Sequence, residues 1–424
     1  MPALQNRLFY GWVIVVAAWL AMFVCSASIA SFSIFAPELE REFGWTRGML
    51  SVGYTLNTIT IAFFGLVAGM LVDRIGIRRL VMIGAVIGGL GIALLSQITK
   101  PWHFDLLYGV LAPCGIALCF IVPTIATVRR WFMRRAAMAI AIAMTGSGLG
   151  VVILMPLIHY TIGAIGWRES YIMLGLILAI VAVIAGSLLR KDPESVGTYP
   201  DGVKPAADEL KGRADFLTRS QKWSAREAFR TSSWWLLILS QFFNIAIIGI
   251  IGHIVFWGKD LGIPEGNVVS ILSFLVLAAV AGRLFAGFSS DWLMSRFGLS
   301  RKPLLYVCTM GVSLGCFLAI GVGNETELIL VSLVIGFCYG IGLAVFPTYL
   351  GDLFGVVSVS TLFGIAFFLS AGLFGAVGPI LYGFIRDIQG SYDLAFLVTA
   401  ILCVISTVSL FLIRAPMKAI GTKN

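Results

Sequence analysis

What most limits the folds open to this chain is the spacing of its charges. In the first half, uncharged stretches lie between Arg7 and Glu38, Arg47 and Asp73, Arg79 and Lys100, Asp105 and Arg129, Arg135 and Arg168, and Glu169 and Arg190. They resume between Arg230 and Lys259, Glu265 and Asp291 (Arg283 excepted), Lys302 and Glu325, Glu327 and Asp352, Asp352 and Arg386, and Asp393 and Arg414. Each is about 20 residues or longer, the length a helix needs to cross a hydrocarbon core ~30 Å thick. A closed barrel would show short alternating segments, which are absent. The expectation is an all-α integral membrane protein with twelve transmembrane helices. At 59% hydrophobic and 12% charged, the chain is too apolar for a soluble domain. The first apolar stretch is too long for a signal sequence and lacks a small-residue cleavage site, so it reads as a retained span.

The net charge of +9 does not point to nucleic acid, because the basic residues sit in short clusters between apolar blocks. With an even helix count, both termini share one side. The opposite side then receives only Arg41, Arg47, Lys100, Arg168, Lys259 and Arg386, and every other lysine or arginine, Arg283 apart, falls on the side of the termini. The positive-inside bias therefore predicts cytosolic termini in a multi-pass plasma membrane protein of the bacterial inner-membrane type. The seven cysteines lie in apolar segments without CxxC pairs, so neither disulfides nor a metal is expected, and no cofactor.

Residues 191–232 are rich in mixed charge and read as a cytosolic linker between two halves, 1–190 and 233–424. The halves repeat. Gly69-Met-Leu-Val-Asp73-Arg74-Ile-Gly76-Ile-Arg78-Arg79 is echoed by Gly287-Phe-Ser-Ser-Asp291 with Arg296 and Arg301 beyond it. Gly115 to Pro123-Thr124 is echoed by Gly340 to Pro347-Thr348, and Gly146-Ser-Gly-Leu-Gly150 by Ala371-Gly-Leu-Phe-Gly375. Three echoes in order, at nearly one offset, predict two pseudo-symmetric six-helix bundles.

Arg283 is the one formal charge inside any span. Eight residues from Asp291, it sits roughly 12 Å inside the polar boundary, where an unpaired guanidinium costs about 2.5–3.5 kcal/mol on insertion scales. It is a candidate anion-binding residue. A planar guanidinium can donate two parallel charge-assisted hydrogen bonds to a carboxylate.

The Gly69–Arg79 stretch resembles the signature of the major facilitator superfamily. Phe9-Tyr-Gly-Trp12, Arg130-Trp-Phe-Met-Arg-Arg135, Gly166-Trp-Arg168 and Arg283 resemble its branch of monocarboxylate transporters and oxalate/formate antiporters. The resemblance implies the major facilitator fold, with a gate at Gly69, Asp73, Arg74, Gly76, Arg78 and the matching Asp291. It also implies a carboxylate at Arg283, and a central cavity lined by the first, fourth, seventh and tenth helices. Polar or aromatic candidates on those helices are Ser31, Cys119, Phe120, Gln241, Asn244, Phe337 and Tyr339, joined by Tyr54 and Asn57 on the second. The glycines at 146, 148, 150, 372, 375 and 378 are expected at tight interfaces between bundles.

Two departures from the branch limit the substrate. Phe367 to Gly372 lacks the lysine that oxalate/formate antiporters carry, and Ala279 stands where animal-type monocarboxylate transporters have aspartate. One cation favours a monoanion, since a second buried carboxylate would lack a partner. No Asp or Glu lies within a span, so His253 and His159 are the candidates for proton coupling. The expected function is alternating-access transport of a small organic monocarboxylate by a monomer, with proton symport. The alternatives are exchange against a counter-anion, a drug/proton antiporter and a non-transporting sensor. An enzyme is not expected, since no catalytic set of side chains stands out in the membrane.

Overall fold

The computed structural model describes residues 9–132, 136–202, 223, 225–297, 300–354 and 359–414; some side chains within these, including those of Asp73 and Asp291, lie outside the described set. Among the described residues there is no strand. Twelve helices among the described residues are long and apolar enough to cross a membrane. In the first bundle they are Gly11–Phe43, Arg47–Gly69, Ile77–Gln97, Pro101–Ile125, Ile142–Ile165 and Trp167–Leu188. In the second they are Ser232–Asp260, Gly266–Gly287, Lys302–Ala319, Glu325–Phe354, Leu362–Gln389 and Asp393–Leu412. The spans alternate in direction, so Gly11 and Leu412 lie at one end of the molecule, the terminal end. The turns after the odd-numbered spans form the far end.

Local chemistry sets where helices start, stop and break. Thr46 caps the second span by accepting from the Met49 amide at 3.2 Å. At the terminal end Gly76 ends that helix with φ 81°, a conformation that costs other residues strain, and the next helix begins at Ile77. The first span turns at Ser31, whose hydroxyl bonds the carbonyl of Ser28 at 2.8 Å. The fourth breaks at Phe120 (φ −90°, ψ −144°), just before Pro123, which has no amide hydrogen to give. The seventh pauses between Leu239 and Phe243, where Ser240 and Asn244 bond nearby backbone carbonyls.

The two bundles meet along two long seams, the second span on the eleventh and the fifth on the eighth. Pseudo-symmetry relates these seams. The glycine stripes divide between them and the bundle interiors. A Cβ on Gly148 would strike Val280 across the fifth–eighth seam, and one on Gly372 would come within 2.6 Å of Ala62 across the other. By contrast, Gly146 and Gly150 face the carbonyls of Trp19 and Phe23 on the first span, and Gly378 that of Ile245 on the seventh. Of these six glycines, Gly148 and Gly372 pack between bundles; Gly146, Gly150 and Gly378, and Gly375 against Ile248, pack within their own. In the fifth span the reason is helical phase: residues two apart face nearly opposite ways, about 200° round the axis.

Candidate functional site

Arg283 projects from the eighth span into the fifth–eighth seam. Its Nη1 donates to Ser147 Oγ at 3.2 Å and to the Met144 carbonyl at 3.4 Å, both on the opposite bundle. These are long bonds to neutral oxygens. Its Nε is buried and has no hydrogen-bond partner among the described residues. A buried, unsatisfied donor on a cation is costly and marks where an acceptor belongs. Tyr339 on the tenth span lies within electrostatic range of Arg283, and Tyr54 on the second within range of Tyr339. Tyr54 also reaches across the halves: its ring stacks on Phe32 with centroids 4.6 Å apart and would lie 2.7 Å from a Cβ on Gly252 of the seventh span. Arg283 and Tyr54 thus each contact the opposite bundle, with Tyr339 near Arg283.

The other candidates fall elsewhere. Asn57 is fully buried against the fourth span, its Nδ2 donating to the Tyr108 carbonyl at 2.9 Å, while Oδ1 has no partner. Thr60 beside it takes up the carbonyl of Gly109 at 2.8 Å. Both bond a widened turn at Leu107–Leu111, whose carbonyls the wider winding displaces from regular helix geometry. Cys119 is buried and its thiol points to the Val81 carbonyl at 3.1 Å. Phe337 packs on Phe285 with centroids 5.5 Å apart, on the side of the eighth helix away from Arg283. Gln241 and Asn244 are buried at the seventh-span pause, with Gln241 Nε2 donating to Ser240 Oγ at 3.2 Å and Asn244 Nδ2 to the Gln241 carbonyl at 3.0 Å. Phe120 is half-buried at the break in the fourth span, and Ser31 satisfies its own helix.

At the terminal end, Gly69 lies 3.4 Å from Val122 as measured from its ideal Cβ, and Arg74 and Arg78 are exposed. The side chains of Asp73 and Asp291 lie outside the described residues, so the expected latch there is not described.

At the far end stands a cluster that the motifs did not signal. Arg47 of the second span forms a bidentate pair with Asp260 of the seventh, at 2.6 and 2.9 Å, and Arg386 of the eleventh adds a bond to the same carboxylate at 2.9 Å. Arg47 also donates to Glu40 at 3.2 Å and to Tyr392 Oη at 3.1 Å. Below it, the Gly48 amide donates to Asp387 at 2.7 Å and Thr55 to the Ala376 carbonyl at 2.8 Å. Ser33 bonds the carbonyl of Ile251. His253, expected near the far end of its span, is buried within this network and joined to Ser51, Pro379 and Tyr392. His159 is half-buried at the far end of the fifth span, its ring 3.6 Å from an ideal Cβ on Gly266.

Comparison with known proteins fits this arrangement. The family model described as Major Facilitator Superfamily matches residues 18–299. Monocarboxylate transporter 12 of Rattus norvegicus is 26% identical over 426 residues, covering 95% of this chain and 85% of the relative. Monocarboxylate transporter 2 of Homo sapiens is 23% identical over 418 residues, with 95% and 85% covered. Among solved structures, an inward-facing, unoccupied bacterial homologue of the human lysosomal transporter Spinster superposes with a TM-score of 0.73 at 15% identity, covering 96% of this chain and 98% of that one. A D-xylose–proton symporter does so with a TM-score of 0.73 at 15% identity, covering 95% and 98%. The family match, spanning most of the twelve-helix chain, and the shared fold lead to one conclusion: this chain is a multi-pass membrane protein that belongs to the major facilitator superfamily of transporters.

Proposed function

We propose that this chain is a secondary active transporter that moves a small organic monocarboxylate by alternating access, with proton symport, and that its termini face the cytosol. Arg283 is the residue that recognises the carboxylate. The observation that carries the reading is its guanidinium, half-buried between bundles and bonded among the described residues to two neutral oxygens at 3.2 and 3.4 Å, with Nε buried and unsatisfied. A carboxylate arriving there supplies two acceptors and the missing charge. Tyr339 and Tyr54 are the companions best placed to meet the rest of a small acid, one from each half. The similarity to monocarboxylate transporters over 95% of the chain supports the same class of cargo. In this reading the travelling proton accompanies the acid, since no carboxylate partners Arg283 among the described residues.

Anion exchange is the second reading. An empty carrier leaves the cation without an anionic partner, which favours return of a loaded carrier over an empty one. Uptake of labelled lactate, pyruvate and an aromatic acid into proteoliposomes tests both. Arg283→Lys and Arg283→Ala should each reduce uptake at least tenfold, and unchanged uptake of every acid would overturn the assignment. Acceleration of uptake by internal acid, with no accompanying proton flux, would favour exchange.

A further inference from the structure

The far-end cluster contains a buried titratable group that carboxylate recognition does not use. His253 Nε2 lies 3.1 Å from the Pro379 carbonyl and 3.0 Å from Ser51 Oγ. The carbonyl can only accept, and the Ser51 hydroxyl already donates to the Arg47 carbonyl at 2.6 Å, so both partners require a hydrogen on Nε2. Nδ1 lies 3.3 Å from Tyr392 Oη, which accepts from Arg47 at 3.1 Å and so donates its own hydrogen to Nδ1. The network therefore fits a neutral imidazole with its hydrogen on Nε2. A second proton, on Nδ1, would meet the Tyr392 hydrogen and leave it without an acceptor. The charged and titratable groups around the ring are Arg47 from the second span, Asp260 from its own, Tyr382 and Arg386 from the eleventh, and Tyr392 after it.

Ser51 and Arg47 belong to one bundle; His253, Asp260, Arg386 and Tyr392 belong to the other. Opening the far end removes the Ser51 acceptor and takes Arg47 from both Tyr392 and Asp260. Tyr392 is then free to turn its lone pair to Nδ1, water reaches the ring, and Asp260 loses one of its two guanidinium partners. From this geometry we propose that His253 is a pH-sensing catch of the far-end gate: it takes a proton only when the gate is open, and that proton must leave before the gate closes. This rests on the transport reading, in which the far end opens and closes, and it makes His253 a sensor rather than the carrier of the travelling proton.

Spin labels at Trp102→Cys and Ile388→Cys, exposed far-end positions on opposite bundles, read the gate without any carboxylate, with Cys114→Ser as background. The open-distance fraction should rise severalfold as pH falls from 8 to 5, near the ordinary histidine range of about 6.5. His253→Gln keeps a donor for Pro379 and an acceptor for Tyr392, and should abolish this dependence while still closing. Ser51→Ala should raise the open fraction at neutral pH and keep the dependence. A wild-type gate indifferent to pH, or an undiminished response in His253→Gln, would overturn the proposal. Because no acid is present, failure of carboxylate transport in the Arg283 experiment would leave this measurement readable.

Discussion

The second–eleventh and fifth–eighth seams are related by pseudo-symmetry and packed by matching glycines, Gly372 and Gly148, yet their polar chemistry is opposite. The first is fastened at the far end by a carboxylate gripped by two arginines, with contacts of 2.6–2.9 Å. In the second a single arginine rests on neutral oxygens at 3.2 and 3.4 Å with one donor unsatisfied. A satisfied cluster holds two bodies together; an unsatisfied cation is ready for a ligand. On the proposed reading, gating falls to one seam and recognition to the other, although both derive from the same repeat.

The largest effect should come from removing the shared carboxylate. Asp260→Ala leaves Arg47 and Arg386 facing each other without the carboxylate they share, Arg47 keeping the Glu40 carboxylate at 3.2 Å, and breaking such a partly buried pair costs about 2 kcal/mol or more. That shifts the open-to-closed ratio of the far end by roughly 30-fold, visible as a longer distance between labels at Trp102→Cys and Ile388→Cys. If Asp260→Ala left that distance unchanged, the division of labour between seams would fail.

Next in size is the contrast between neighbouring glycines. Gly150→Ala drives a methyl into the Phe23 carbonyl, a backbone atom within the same bundle, and should cost about 1–3 kcal/mol of stability in thermal unfolding. Gly148→Ala meets the Val280 side chain instead, so it should unfold nearer the wild-type temperature while widening the fifth–eighth seam. Equal losses of thermal stability would contradict the assignment of the two faces. The smallest effect is expected from Ser147→Ala, which removes one long hydrogen bond from Arg283. At about 0.5–1 kcal/mol, it should change carboxylate affinity by only a few-fold, and in the direction of tighter binding, because the acid no longer competes with the serine.

The twelve spans were legible from charge alone because every junction between spans has an ionised residue either in the turn or in the adjoining end of a flanking helix. The repeats likewise predicted the two halves. Arg283 could be singled out because a lone charge in an apolar helix has few explanations. Its companions could not: Tyr339 and Phe337 are two residues apart on one helix, and phase alone sends one toward the site and the other toward Phe285. Asn57 shares a turn with Tyr54, but the widened turn at Leu107–Leu111, which no residue pattern announced, draws it to the fourth span. Arg47, Asp260 and Arg386 each looked like an ordinary interfacial charge. Their pairing joins positions more than a hundred residues apart and depends on how the halves dock, which span-by-span reading does not contain.

The central claim is that Arg283 binds one carboxylate, and the most direct measurement is a thermal-shift titration of purified protein with paired ligands, lactate against lactamide and pyruvate against pyruvamide. The account predicts stabilisation by at least one acid, none by its amide, and loss of the effect in Arg283→Gln at unchanged unligated stability. Equal stabilisation by acid and amide, or an acid response that survives in Arg283→Gln, would contradict it.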